Sequence, residues 1–366
     1  MKIGIIGFQR SGKTAVFRAL TGSKVEEGAA SSHGGSRGVA HMAVVKVPDE
    51  RLERLAVQIQ PQKTTFAAVE YYDFAGIDRG DAEKKTGLGD EQLNALGNLD
   101  ALLAVIRAFD DGSGIPPDVA GDLDAIRLDL VLSDLQKVEN RLPKVEKNIH
   151  KVSGKELEQS KMEFAALQKV QKILEAGAPI RSFDLSPDDE KILRGFMFLS
   201  AKPILYVINL GEDALQSGGD PLAKIDIPPL GKNEQVAAMC AAIEAEIQQL
   251  SPEEQEIFLK DYNIAEPSAR RVIRICYDLL GYISFFTVGP KEVRAWTIRD
   301  GFTAMQAAGA IHSDMERGFI RAEVVRWDKL LAAGGFAQTK KTADLHIEGK
   351  EYIVKDGDVM LFLFSV

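Results

Sequence analysis

Cysteine is nearly absent. Cys240 and Cys276 are the two thiols in 366 residues, too few for a disulfide framework or a four-ligand zinc site, and five scattered histidines add no metal-ligand spacing. Long apolar runs are also missing. The longest, Phe196 to Ile208, is interrupted by Lys202 and Pro203 and falls short of the roughly 20 residues a membrane span requires, so no membrane partner is expected. The opening Met-Lys-Ile-Gly-Ile-Ile ends its apolar run after about five residues, too early for a signal peptide, and the chain reads as cytoplasmic. Excess positive charge is lacking as well: 45 Lys and Arg against 54 Asp and Glu leave −9, a field that repels nucleic acid. Specific DNA binding is not expected, and any RNA contact must come from a local patch. What remains, 45% apolar and 27% charged residues with 14 prolines, is ordinary globular material, enough for two or three domains of about 100 to 200 residues.

Short apolar runs at 3–6, 69–72, 102–108, 203–208 and 236–239 are each followed by helix-compatible or loop sequence. That is the pattern of a parallel sheet with crossover helices, an α/β nucleotide-binding architecture. Between about 122 and 176 the period changes. Leu128, Leu135, Leu142 and Ile149 recur every seven residues, with Val131, Val138, Val145 and Val152 three later each time, the seam of a coiled coil. Ser153-Gly154 offers a turn, and Leu157, Phe164, Leu167, Val170 and Leu174 give a second stripe, so an antiparallel helical hairpin is expected. Pro143 should kink or split its first arm. From about 281 the texture alternates, at 283–288, 294–298 and 352–354, with a turn at 355–358 and a last strand over 359–366, which predicts a small β-rich domain.

Chemistry concentrates at the carboxyl ends of the first strands. Gly7 to Thr14 fits the P-loop pattern between a strand-like and a helix-like run. The glycines let backbone N–H groups wrap a phosphate, Lys13 reaches its β and γ oxygens, Thr14 offers a hydroxyl to Mg²⁺, and the helix N-terminus adds partial positive charge. The candidate phosphate-binding set is Gly7, Gln9, Arg10, Ser11, Gly12, Lys13, Thr14 and Ala15. Asp73-Phe74-Ala75-Gly76 follows a second strand; Asp73 would hold the Mg²⁺ ion through water and the Gly76 amide would sense the γ-phosphate. Many GTPases keep a water-orienting Gln at the next position, where this chain has Ile77, which cannot position water. Asn209-Leu210-Gly211-Glu212 stands after the 203–208 strand where GTPases carry Asn-Lys-x-Asp. With Leu210 for Lys and Glu212 for Asp, the case for guanine weakens. Ser200-Ala201-Lys202 mimics a further GTPase motif but precedes this strand; Cys240-Ala241 is the better-placed last base-side loop.

With these residues in hand, the chain resembles the YchF or Obg-like ATPase family over nearly its whole length. Tyr72 to Ile77 with the later Gly87-Leu88-Gly89 resembles the family's D-I-A-G-L and G-L-G, and Lys202-Pro203 to Asn209 resembles its K-P-x-x-Y-x-x-N strand. Phe286-Thr287, Lys291 to Thr297, Ile311-His312, Glu316 to Val324 and Asp356 to Val359 are similar to its TGS domain. The resemblance implies a P-loop GTPase-like parallel sheet with an inserted antiparallel helical hairpin and a C-terminal β-grasp (TGS) domain. The corresponding boundaries are 1–121 with 181–280, then 122–180, then 281–366. It also implies ATP preferred over GTP, Mg²⁺ with the nucleotide, and association with the ribosome.

The chain departs from the family in three places. Arg10 replaces the loop Asn, Ser31 to Gly38 replaces a Thr-Ile-Glu-Pro-Asn first switch, and Gly112 to Pro117 lacks the histidine that relatives often tie to hydrolysis. The expected function is a slow Mg²⁺-dependent ATPase that regulates the ribosome by nucleotide state. A GTPase of the same architecture, or a nucleotide-gated binding module without hydrolysis, are the other readings. Arg10 stands where K⁺-dependent relatives keep an asparagine; a permanently charged guanidinium there is read as a catalytic charge clamp in cis that dispenses with K⁺. Arg10 and Gly76 are thus the catalytic candidates, Thr14 and Asp73 the metal candidates, and Asn209, Leu210, Glu212, Cys240 and Ala241 the base-side candidates.

Overall fold

The computed structural model describes residues 1–22, 39–77, 89–216, 220–261, 264 and 266–365. The switch segment Ser31 to Gly38 and Gly87-Leu88 lie outside the described residues. The chain divides into two compact units, Met1–Val44 with Glu70–Val272 and Val45–Val69 with Ile273–Val366.

In the first unit β1 (Lys2–Ile6), β2 (Val39–Lys46), β4 (Ala68–Phe74), β5 (Ala101–Ala108), β6 (Ile204–Leu210) and β7 (Glu234–Met239) form one sheet in the order β2-β4-β1-β5-β6-β7. β1 pairs parallel with β4 and β5, and β6 parallel with β5 and β7. These strands are the expected apolar runs; β6 is buried along its whole length, as a strand covered on both faces must be. The surrounding helices are α1 (Lys13–Thr21), α3 (Asp90–Gly97), α7 (Asp213–Gln216), α8 (Ala241–Ile247) and α9 (Pro252–Asp261); α10 (Ser268–Leu279) begins in this unit and continues into the second. Leu93 and Leu96 of α3 and Ile243 and Ile247 of α8 share a core with Ile6, Ile106 and Ile208 of the sheet.

The hairpin is α4 (Val119–Ile149) and α5 (Gly154–Glu175). Arg141 Nε to Glu163 at 2.7 Å and Asn148 Nδ2 to Ser160 at 3.1 Å fix its antiparallel register. Val131, Val138 and Val145 are buried against Leu167, Val170 and Leu174, with Leu135, Leu142 and Ile149 packed beside them. Leu128 leaves the seam and is 49% exposed: α5 ends at Glu175, before it can reach that turn. The neighbouring Leu123, Ile126 and Leu130 of α4 instead join the core of the sheet, so one helix serves two cores. Pro143 does not split the arm; α4 runs through it. Pro143 is exposed, so water can satisfy the carbonyl its ring leaves without a donor, while the opposite face stays packed.

The arm is fastened at its root. Glu234, at the start of β7, takes Arg181 at 2.7 Å and Arg127 at 2.5 Å. Burial pushes the Glu234 carboxyl up, but hydrogen bonding from Arg127 and the Arg181 charge outweigh it and leave it below the usual carboxylate range. Asp134, also buried, accepts from the Leu199 and Ser200 amides at 3.0 and 2.7 Å, and α6 (Pro187–Leu193) packs on α5. Lys202 donates to the Gly97 and Leu99 carbonyls at 2.9 and 2.5 Å.

In the second unit β3 (Lys63–Thr65), β8 (Tyr282–Val288), β9 (Glu292–Arg299), β10 (Phe319–Arg326), β11 (His346–Glu348) and β12 (Asp358–Phe364) form a mixed sheet in the order β11-β10-β12-β8-β9-β3. Phe285, Ile298, Val324 and Met360 pack under Ala304, Ala307 and Ala308 of α11 (Ala304–Ile311), which continues through α12 (Ser313–Arg317) to β10. α13 (Trp327–Ala333) and α14 (Phe336–Thr342) follow β10. The expected strand at 352–354 is only a bridge between Ile353 and Thr303. Residues 45–69, expected in the nucleotide domain, bring α2 (Glu50–Ile59) and β3 to this unit. β3 pairs parallel with β9. Arg51 of α2 reaches Asp49 at 2.8 Å and Asp356 at 2.5 Å, with its guanidinium 5.3 Å from the Phe286 ring centre.

Candidate functional site

Parallel strands put their carboxyl ends, and the loops that leave them, along one edge. At that edge of the first unit stand the loops after β1 (7–12), β4 (75–77), β5 (109–118), β6 (211–212) and β7 (240). The sheet order therefore gathers segments that are far apart in sequence.

The loop after β1 is strapped to the loop after β4. The Ile77 amide donates to Gly7 O at 2.9 Å and the Gln9 amide to Ile77 O at 3.3 Å. Ile77 is fully buried in the core of the sheet, which accounts physically for an aliphatic residue where a water-orienting Gln would need to be exposed. Gly12 caps α1 in the left-handed region, at φ +86, and a Cβ there would lie 2.1 Å from Asn209 Nδ2. Gly76 faces the same constraint from the other side, since its Cβ would fall 3.0 Å from both Lys13 Nζ and Gln9 Cγ. Gly12 thus requires glycine for both its backbone conformation and its lack of room, whereas a side chain at Gly76 would force its neighbours to give way slightly.

Lys13 is buried and donates to the Phe8 carbonyl at 2.9 Å. Burial lowers its pKa, partly opposed by the Asp73 charge. Thr14 Oγ1 donates to Asp73 Oδ2 at 3.3 Å, and His41 Nδ1 lies 3.4 Å from the same oxygen. Burial pushes the Asp73 carboxyl up, against His41, Lys13 and Thr14, which pull it down. Asp73 Oδ1 and Ser11 Oγ are buried with no hydrogen-bond partner among the described residues. An orphaned carboxylate oxygen beside a threonine hydroxyl is the donor set a hard divalent cation takes, so these residues fit Mg²⁺. His41 belongs to no motif; it is brought here by β2 and lies against Phe17, ring centres 6.0 Å apart.

Arg10 is exposed, with φ +62, and its charge reaches Asp111 on the loop after β5. At the other end Asn209 ties two loops together: its Nδ2 donates to Ser11 O and its Oδ1 accepts from the Ala241 amide, both at 3.1 Å. Glu212 is exposed and close enough to Cys240 to help burial raise the thiol's pKa. Cys240 and Ala241 are themselves buried. The Leu210 side chain packs into the core and lines a cavity of about 600 Å³ with Ala108, Val119 and Ile225, so it does not face the P-loop. Phe109, which no motif announced, lies with its ring edge 3.7 Å from where a Gly12 Cβ would be. Arg271 donates to the Ala238 carbonyl at 3.1 Å, and Arg294 stacks 3.8 Å over the Trp296 ring.

This architecture has close relatives. The chain is 40% identical over 371 residues to the ribosome-binding ATPase YchF of Bacillus subtilis, covering 99% of each chain. It is 37% identical to the protein of the same name from Escherichia coli O157:H7, covering 100% of this chain and 99% of that one. The solved structure of the Schizosaccharomyces pombe YchF GTPase superposes with a TM-score of 0.82 at 31% identity, over 99% of this chain and 97% of that one. Residues 282–365 match the family model YchF-GTPase_C, described as a protein of unknown function (DUF933). Over its full length, in sequence and in fold, the chain belongs to the YchF family of P-loop ATPases.

Proposed function

We propose that this protein is a ribosome-binding, Mg²⁺-dependent ATPase of the cytoplasm, with its nucleotide seated on Gly7 to Ala15 and its base toward Asn209 and Glu212. The observation that carries the reading is the convergence of Lys13, Thr14 and the unpartnered Asp73 Oδ1 beneath Gly76. Lys13, now resting on the Phe8 carbonyl, would exchange that oxygen for phosphate oxygens, where its charge is worth more. A Mg²⁺ ion held by Thr14 and Asp73 would supply charge neutralisation across the phosphates. The Gly76 amide would sense the γ-phosphate. Arg10, exposed at the loop's crest, would add a second cationic charge. With Ile77 buried, no side chain at that position orients water, which supports slow turnover.

Base choice is read from Glu212: a carboxylate one methylene longer than the Asp of Asn-Lys-x-Asp, without the Lys packing over the base, favours adenine. The relatives' names divide between ATPase and GTPase, so both nucleotides belong in every assay. Ribosome binding comes from those relatives' names, and the TGS-like region 281–366 together with the hairpin 122–180 are its proposed contacts.

Single-turnover hydrolysis with Mg²⁺, with chelator, and in Asp73→Asn tests the site. Cleavage of ATP that needs Mg²⁺ and falls about a hundredfold or more in Asp73→Asn is the expected result. Metal-independent turnover, or an active Asp73→Asn, removes the assignment of Thr14 and Asp73.

A further inference from the structure

The loop after β5 is held by one buried side chain. Arg107, next to last in β5 and 7% exposed, donates to the Phe109 carbonyl at 3.2 Å and to the Ile115 and Pro116 carbonyls at 3.0 and 3.3 Å. Its Nη1 also lies 3.1 Å from Asp111 Oδ1. The planar fork of a guanidinium can serve several acceptors at once, and here it closes both ends of the segment 109–116. Within that segment Gly112 and Gly114 take φ +73 and +74. Asp110 accepts from the Gly112 amide at 2.9 Å and Asp111 from the Ser113 amide at 3.0 Å.

The closed loop presents two groups to the site. Phe109 comes 3.7 Å from a Cβ position on Gly12 and 3.4 Å from one on Gly211, so it stands between the phosphate loop and the base-side loop. Asp111 meets the charge of Arg10; its carboxyl is held below the usual range first by the Ser113 hydroxyl and amide, then by Arg107 and Arg10. β5–β6 pairing sets Arg107 opposite Asn209, the residue that ties the P-loop to the last base-side loop.

We infer that Arg107 is a positioning residue for the nucleotide: it spends its own donors on the loop 109–116 and acts through Phe109 and Asp111. The inference rests on the proposed reading of 7–15 and 209–212 as two ends of a purine-nucleotide site. An aromatic face packs on adenine and guanine alike. Arg107 therefore governs affinity for both purine nucleotides and leaves the choice between them to 209–212.

The test is a double-mutant cycle on full-length protein: wild type, Arg107→Lys, Asp111→Asn and the double variant, each titrated with ATP and GTP and each melted. Lysine keeps the charge and loses the fork. Arg107→Lys is expected to weaken both nucleotides about fivefold or more while holding the ATP to GTP ratio within about twofold, and to couple non-additively with Asp111→Asn. Unchanged affinities with a lowered melting temperature would make Arg107 merely structural and overturn the inference; so would a changed ratio. If Arg107→Lys does not fold, Arg107→Gln is titrated and melted in its place: loss for both nucleotides with the ratio held supports the inference, and unchanged affinities overturn it. A wild-type chain that binds neither nucleotide fails the underlying reading, an outcome separate from the behaviour of the variants.

Discussion

At the proposed phosphate end of the site the loops are held by backbone: Gly7 and Gln9 exchange main-chain hydrogen bonds with Ile77, Gly12 leaves no room for a Cβ, and Gly76 leaves little. At the proposed base end the loops are held by side chains: Asn209 spans Ser11 and Ala241, and Arg107 gathers 109–116. The difference has consequences for what each end tolerates. A backbone cradle needs glycine at fixed places and little else, so its residue types are strict and its failures abrupt. A side-chain truss needs one polar anchor and lets its neighbours vary, so Leu210 and Glu212 can replace the Lys and Asp of the guanine pattern without disturbing the loop.

Substitutions at each end sharpen that contrast. Gly76→Ala would place a methyl 3.0 Å from Lys13 Nζ and 3.2 Å from the Gln9 Cα; backbone cannot yield as a side-chain tip can. Single-turnover ATP hydrolysis should fall by on the order of a hundredfold, the scale of losing one preorganised backbone donor. Turnover within about threefold of wild type would mean the cradle is not rigid. Asn209→Ala should cost less, since two buried hydrogen bonds are lost and the loops can settle: ATP affinity falls roughly tenfold, measured by titration. A loss as steep as that of Gly76→Ala would erase the distinction between the two ends.

What could be read from sequence follows the same division. The proposed phosphate-site residues of the P-loop, with Asp73 and Gly76, stand out in the sequence because their chemistry demands fixed residue types at fixed spacing beside a strand. The buried runs of β1, β4, β5, β6 and β7 were legible because strands covered on both faces must be apolar. Phe109, Arg107 and His41 were not: each is an isolated residue with no spacing rule, brought to the site by strand order. The place of residues 45–69 in the second unit is hidden in the sequence for a related reason. The Thr65 to Glu292 hydrogen bond joins positions 227 apart, and a three-residue edge strand carries no periodicity that could announce such a pairing. Pro143 does not split its helix, because one exposed carbonyl costs little on the solvent side of a helix whose other face is buried.

Binding titrations of ATP and GTP to the wild-type chain and to Lys13→Ala test most directly whether Lys13 holds an adenine nucleotide in this cradle. Tighter binding of ATP than of GTP, with at least about a tenfold loss of ATP affinity in Lys13→Ala, or about 1.4 kcal/mol, is the predicted result. GTP bound more tightly than ATP, or an ATP affinity unmoved by Lys13→Ala, would contradict it.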